Sequence, residues 1–138
     1  MKTFIAVAFV LITLTSCDLY VVEEQPYSYD NRERVTGRYD VDEYSDTYDE
    51  YTYYSVSITT GYGRREIYID NFYGQGLDVV AYLDGSVIDI PFQVIDGYEI
   101  EGHGLVYSDK IDFHYSVTDR YNHGYTDHCD TEAFRVRY

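Results

Sequence analysis

The sequence has no tryptophan, one methionine, two prolines and two cysteines, and it sets 10 lysines and arginines against 25 aspartates and glutamates over 138 residues. The shortage of positive charge, a formal net charge of −15, argues against nucleic acid as a partner, because phosphates are held by lysine and arginine. It suits a soluble chain that avoids self-association. Two cysteines are too few for a disulfide framework. No apolar run reaches the about 20 residues that a membrane-crossing helix needs. The longest, Phe4 to Leu14, is broken by Thr13. Gly-x-Ser-x-Gly, His-Glu-x-x-His and a phosphate-binding glycine loop are all missing. The chain is therefore read as non-enzymatic and without a cofactor. No segment keeps a helical period.

What is abundant is tyrosine, at 19 residues, within a 45% hydrophobic composition. Tyrosine favours pleated, half-buried surfaces, so aromatic segments predict strands. From residue 34 onward short alternating segments follow one another between turn signals. Val35, Gly37, Tyr39 and Val41 alternate first, and an acidic, turn-like stretch runs from Asp42 to Glu50. Tyr54, Val56 and Ile58 come second, Ile67 and Ile69 third, and Leu77, Val79, Ala81 and Leu83 fourth. Val87 to Phe92 form a fifth segment, where Pro91 marks an edge, bend or bulge. Tyr98 to Tyr107 and Ile111 to Val117 are the sixth and seventh, and Phe134, Val136 and Tyr138 fall in the eighth after a polar loop from Asp119 to Asp127. Asp84-Gly85 and Asp96-Gly97 are signals for type I′ hairpins, which need positive φ. The expected fold is all-β, an eight-stranded up-and-down antiparallel meander that closes into a barrel and so leaves no exposed edge. Gly102 and Gly104 share one face of the sixth strand, where missing side chains permit sharp coiling or a small cavity.

Two resemblances add to this reading. Leu14-Thr15-Ser16-Cys17, after the positive Lys2 and the apolar run, resembles the lipobox of bacterial lipoproteins. It implies cleavage before Cys17 and lipidation of that residue, with residues 1–16 as signal peptide and 17–33 as a flexible tether. Several acyl chains at about 0.8 kcal/mol per buried CH₂ make such an anchor effectively permanent. Asp18, Glu23 and Glu24 partly match the acidic export signal of lipoproteins from Bacteroidota. An outer-membrane lipoprotein facing the cell surface is expected, or one facing the periplasm. Along 34–138, the motifs Gly37-x-Tyr39, Ile69-Asp70-Asn71-Phe72, Ile90-Pro91-Phe92-Gln93, Gly102-x-Gly104 and Ile111-x-Phe113-x-Tyr115, in that order, resemble short lipocalin-like (calycin-like) lipoproteins of Bacteroidota. Gly37-Arg38-Tyr39 stands where the longer lipocalins have Gly-x-Trp.

With Cys17 committed to lipid, Cys129 is left alone and is expected to be a buried small apolar residue. The acids between Asp40 and Glu50 do not make an EF-hand, since its sixth position is Ser45 and its twelfth Tyr51. His123, His128 and Cys129 match no zinc spacing, and His128 and Cys129 fall on opposite faces of a strand, so no metal site is assigned. His114 and Tyr53 are expected to face outward. The partners expected are the membrane, through Cys17, and a small apolar or glycan ligand. The alternative is a protein-interaction module with a filled core. A core lined by small residues favours the ligand pocket, and one filled by Tyr, Phe and Ile favours the interaction surface. Connections after odd-numbered strands share one barrel end and are the longer ones, so a mouth is expected there, with Tyr73, Phe92, Tyr121 and Tyr125 as its aromatic contacts.

Overall fold

The computed structural model describes residues 29–138. The leader, Cys17 and the first part of the expected tether lie outside the described residues. A short 3₁₀ turn, Asn31–Arg34, precedes eight strands. These are β1 (Gly37–Ser45), β2 (Glu50–Thr60), β3 (Glu66–Phe72), β4 (Leu77–Asp84), β5 (Val87–Ile95), β6 (Tyr98–Val106), β7 (Lys110–Asp119) and β8 (Thr126–Arg135). Each pairs antiparallel with its neighbour in sequence, and β1 closes on β8 from Tyr39↔Arg135 to Ser45↔Cys129. The fold is thus the closed up-and-down barrel that the alternating segments imply.

The period-2 residues fill its interior. Val56 and Ile58, Ile67 and Ile69, and Leu77, Val79, Ala81 and Leu83 are all buried, as are Ile88, Ile90, Ile100, Phe113 and Tyr115 from the later strands. Each fully buried Leu, Ile or Phe contributes about 1.5–3 kcal/mol of transfer free energy. Gly102 and Gly104 leave no cavity. A Cβ at Gly102 would come within 2.4 Å of the Tyr115 Cβ, and one at Gly104 within 2.7 Å of the Phe113 ring. The two aromatics of β7, opposite these glycines in register, occupy the space instead.

Three local expectations change. The stretch from Asp42 to Glu50 is not one loop. β1 runs through Ser45, the turn is residues 46–49, and Glu43 and Ser45 continue the inward row of Tyr39 and Val41. The last strand starts at Thr126 and turns Asp127, Cys129, Thr131 and Ala133 inward, while Phe134 faces out. Small and polar residues suffice on that face because Tyr39, Phe113 and Tyr115 already fill the volume beside it. The β4–β5 connection is Gly85-Ser86, since Asp84 pairs with Val87. Gly85 alone has positive φ there, the pattern of a type II′ turn, whereas Asp96 and Gly97 both do, as type I′ requires. The register shift in β5 falls between Ile90 and Gln93, at Pro91. The Gln93 side chain bridges it, accepting from Val80 N at 3.0 Å and donating to Val80 O at 2.8 Å.

Residues 30–34, expected within the tether, seal one end of the barrel. Asp30 caps the turn by accepting from Arg32 N at 3.0 Å. Arg32 donates to the carbonyls of Gly61 at 2.8 Å and Glu66 at 3.1 Å, and Asn31 donates to Gly85 O at 3.2 Å. Val35 is wholly buried behind this turn and its carbonyl accepts from the Tyr39 hydroxyl at 3.0 Å. The Arg135 guanidinium lies 5.1 Å from the Tyr39 ring centroid and donates to Thr36 O at 2.8 Å and to the Tyr39 hydroxyl at 2.6 Å.

Candidate functional site

The opposite end carries the turn at residues 46–49, the turn at 73–76, the Asp96-Gly97 hairpin and the loop at 120–125. These are the four connections expected to share a mouth. They enclose a recess of 390 Å³. Tyr48, Tyr73, Tyr98 and Tyr125 supply rings to it, Glu50, Asp119 and Asp127 supply carboxylates, and Gln75 and Asn122 supply amides.

Tyr73 is held in an unusual backbone state, with φ 57°. A bulky side chain in the left-handed region costs on the order of 1–3 kcal/mol, so surrounding contacts must fix it. Its hydroxyl donates to Asp127 Oδ2 at 2.7 Å, and its ring meets the Tyr115 ring edge-on at 6.4 Å. Glycines at 74 and 76, both with positive φ, let the turn fold back around it. The 120–125 loop is tied to the β5–β6 hairpin by Arg120 N donating to Gly97 O at 3.0 Å. Asp119 organises the same loop by accepting from the amides of Tyr121 at 2.9 Å and Asn122 at 3.2 Å.

Below the recess the interior becomes polar. Asp127 is 4% exposed and accepts from the Ser45 hydroxyl as well as from Tyr73. Ser45 Oγ in turn accepts from Tyr48 N at 3.0 Å, which fixes the first turn. Deeper still, Glu43 is 3% exposed and accepts from the hydroxyls of Tyr54, at 2.5 Å, and Tyr115. Burial pushes the Glu43 carboxyl above the usual carboxylate range, against the two tyrosine hydrogen bonds that favour its ionised form. Burial and the neighbouring carboxylates hold the hydroxyls of Tyr54 and Tyr73 and the Cys129 thiol protonated far above their ordinary ranges. A buried thiol of that kind is a packing group and not a nucleophile. None of the ion pairs among the described residues involves Glu43 or Asp127.

Of the four aromatics expected at the mouth, the structure brings Tyr73 and Tyr125 together. Phe92 projects outward at the β5 bulge, 60% exposed, and lines no part of the recess. Tyr121 is 84% exposed and lies over Gly97, where a Cβ would come within 2.0 Å of its ring. Sequence reasoning passed over Tyr48, Tyr98, Asp127 and Glu43. The signal for the two acids was present, as Tyr39-x-Val41-x-Glu43-x-Ser45 and Asp127-x-Cys129-x-Thr131-x-Ala133 keep an unbroken period of two.

A second concavity, of 370 Å³, lies on the outer wall across β2, β1, β8 and β7. It presents Tyr44, Tyr51 and Tyr53 beside Asp42, Asp130 and Glu132. Tyr53 and His114 face outward there, and His128 and Cys129 take opposite faces of β8. Lys110 holds Glu132 at 2.5 Å and Asp112 at 3.0 Å.

Fold and recess together define a small closed β-barrel, sealed at one end and open at the other, whose architecture is compatible with a lipocalin-like barrel. Neither a protein-family model nor a curated protein matches the sequence.

Proposed function

We propose that the chain is a lipid-anchored, non-enzymatic binding barrel of the bacterial cell envelope, which takes a small polar ligand at its open end. The lipobox-like Leu14-Thr15-Ser16-Cys17 supports the anchor and the outer-membrane address. The observation that carries the binding reading is the filling of the barrel. Tyr39, Ile58, Phe72, Ile90 and Phe113 occupy its interior, so no ligand enters the barrel, and at the open end the space left to one is the recess bordered by Tyr73 and Asp127. A lipid tail has nowhere to enter. Flat rings beside carboxylates and amides suit a sugar or a similarly polar molecule, which stacks on one face and hydrogen-bonds at its edge.

The described chain begins at the sealed end. On this reading the tether from Cys17 joins the barrel at its sealed end. The filled core also favours the protein-interaction reading, and the tyrosine-lined concavity on the wall is its natural surface.

Two experiments separate these claims. Replacing Cys17 with Ala abolishes incorporation of a clickable fatty acid in cells, and equal labelling of the variant sinks the anchor. Against a panel of neutral and charged glycans, Tyr73→Ala and Tyr125→Ala weaken binding at least tenfold while Tyr53→Ala on the wall does not. The reverse pattern moves the site to the wall.

A further inference from the structure

We infer that the ligand of the mouth carries a positive charge, an organic ammonium ion whose charge meets Asp127 and whose alkyl groups meet the surrounding tyrosine rings. The inference rests on the reading of the mouth as the binding site. Two independent features lead to it. The first is the buried carboxylate. Asp127 is 4% exposed, borders the recess, and has only neutral donors as partners, the hydroxyls of Ser45 and Tyr73 and the Cys129 thiol. A buried acid without a cation is costly, since burial is offset chiefly by a paired opposite charge. Here that charge has room to arrive from outside. The second feature is the wall of the recess. Four tyrosines border it, and a ring face attracts a cation within about 6 Å of its centroid, most strongly when water is excluded.

Charge around the rim points the same way. Glu50 and Asp119 border the recess, and no arginine, lysine or histidine does. The one cation beside it, Arg120, is held by Glu99 at 2.5 Å. The other described arginines, and Lys110, lie toward the sealed end, in the 3₁₀ turn, the β2–β3 connection and the strand ends that meet there. At the sealed end Asp30, Asp84, Asp112 and Glu132 pair with Arg32, Arg65 and Lys110, whereas the acids at the mouth have no bordering cation, so the mouth draws cations and repels anions. Anionic glycans and carboxylate ligands are thereby excluded, and a neutral sugar leaves the Asp127 charge unmatched.

The test titrates the full chain at physiological salt, where loose surface attraction is screened beyond about 8 Å. The probes are tetramethylammonium and n-butylammonium, with tert-butanol and n-butanol as neutral counterparts, followed by calorimetry and by the aromatic NMR signals of the tyrosines. Expected are saturable binding of at least one ammonium probe, shifts at Tyr73 and Tyr125, and binding at least tenfold weaker for the alcohols. Asp127→Asn weakens ammonium binding at least tenfold. Glu50→Gln, exposed and outside the buried network, weakens it about threefold and guards against misfolding of the first variant. Asp84→Asn, at the sealed end, leaves it unchanged. Alcohols that bind as well as the ammonium ions, or ammonium binding indifferent to Asp127→Asn and Glu50→Gln, overturn the inference. A neutral glycan that shifts Tyr73 and Tyr125 where ammonium ions do not overturns it too, yet keeps the mouth as the site. Shifts confined to Tyr51 and Tyr53 on the wall, with any probe, overturn both.

Discussion

The two ends of this barrel are built from opposite chemistry. At the sealed end, arginine side chains donate to main-chain carbonyls. Arg32 holds Gly61 and Glu66, Arg135 holds Thr36, and Val35 and Tyr39 are buried beneath them. Cations there find acceptors that the chain itself provides, so the end is complete. At the open end, tyrosine hydroxyls donate to carboxylates. Tyr73 serves Asp127, and Tyr54 and Tyr115 serve Glu43, with no cation among their partners. Hydrogen bonds are satisfied at both ends, but cations take part only at the sealed one.

The sharpest way to break the comparison is to remove the plug. Tyr39→Ala deletes a side chain that is 1% exposed and anchors Val35 and Arg135, so a loss of about 3–5 kcal/mol is expected. In thermal unfolding this is a fall of roughly 15 °C or more. Tyr73→Ala at the mouth gives a smaller fall, because its side chain is only half-buried at the rim and its loss leaves no enclosed cavity, while alanine keeps the backbone strain of φ 57°. If the mouth variant is the more damaging, the open end is structural and its tyrosines are core.

Next in size is Arg135→Leu. It keeps part of the packing on Tyr39 and removes the donor to Thr36 O and the Tyr39 hydroxyl. About 2 kcal/mol is expected, read as a lower urea midpoint with unchanged slope. Gly85→Val comes third. Its positive φ penalises a β-branched residue by on the order of 1–3 kcal/mol, and nothing lies within 4 Å of the new Cβ, so strain alone is measured. A melt like wild type would mean the turn changes its φ without cost.

The strands were legible because their inward residues alternate without a break from Val56 to Ile58 or from Leu77 to Leu83. The mouth was half legible for the same reason. Meander order places four connections at one end, and Tyr73 and Tyr125 followed from that alone. Phe92 and Tyr121 were misplaced because position in a loop does not give direction. A bulge turned the first outward, and a glycine at φ 83° offered the second a bed on Gly97. Glu43 and Asp127 were hidden by their own polarity. An acid among acids reads as solvated surface, and only the period of two says that these face inward. The plug at residues 30–34 was invisible because no apolar pattern marks a turn that is held by arginine–carbonyl bonds.

The smallest effect expected is the one that distinguishes a poised acid from a filler. Burial raises the Glu43 carboxyl above its ordinary range, so the folded protein holds this proton more tightly than the unfolded chain does. As pH rises through that range, the unfolded chain releases its proton first. The stability contributed by protonated Glu43 is present below the ordinary carboxylate range and is lost as pH climbs through the raised value. Glu43→Gln cannot ionise, yet its amide oxygen still accepts from Tyr54 or Tyr115. The difference in unfolding free energy between variant and wild type, followed by urea titration from pH 4 to pH 8, should therefore rise with pH in favour of the variant. The other acids titrate in both proteins and largely cancel from the difference. A flat difference would mean that the tyrosine hydrogen bonds cancel the effect of burial and keep Glu43 an ordinary carboxylate. A difference that rises and is then removed by tetramethylammonium would tie this inner acid to the mouth above it.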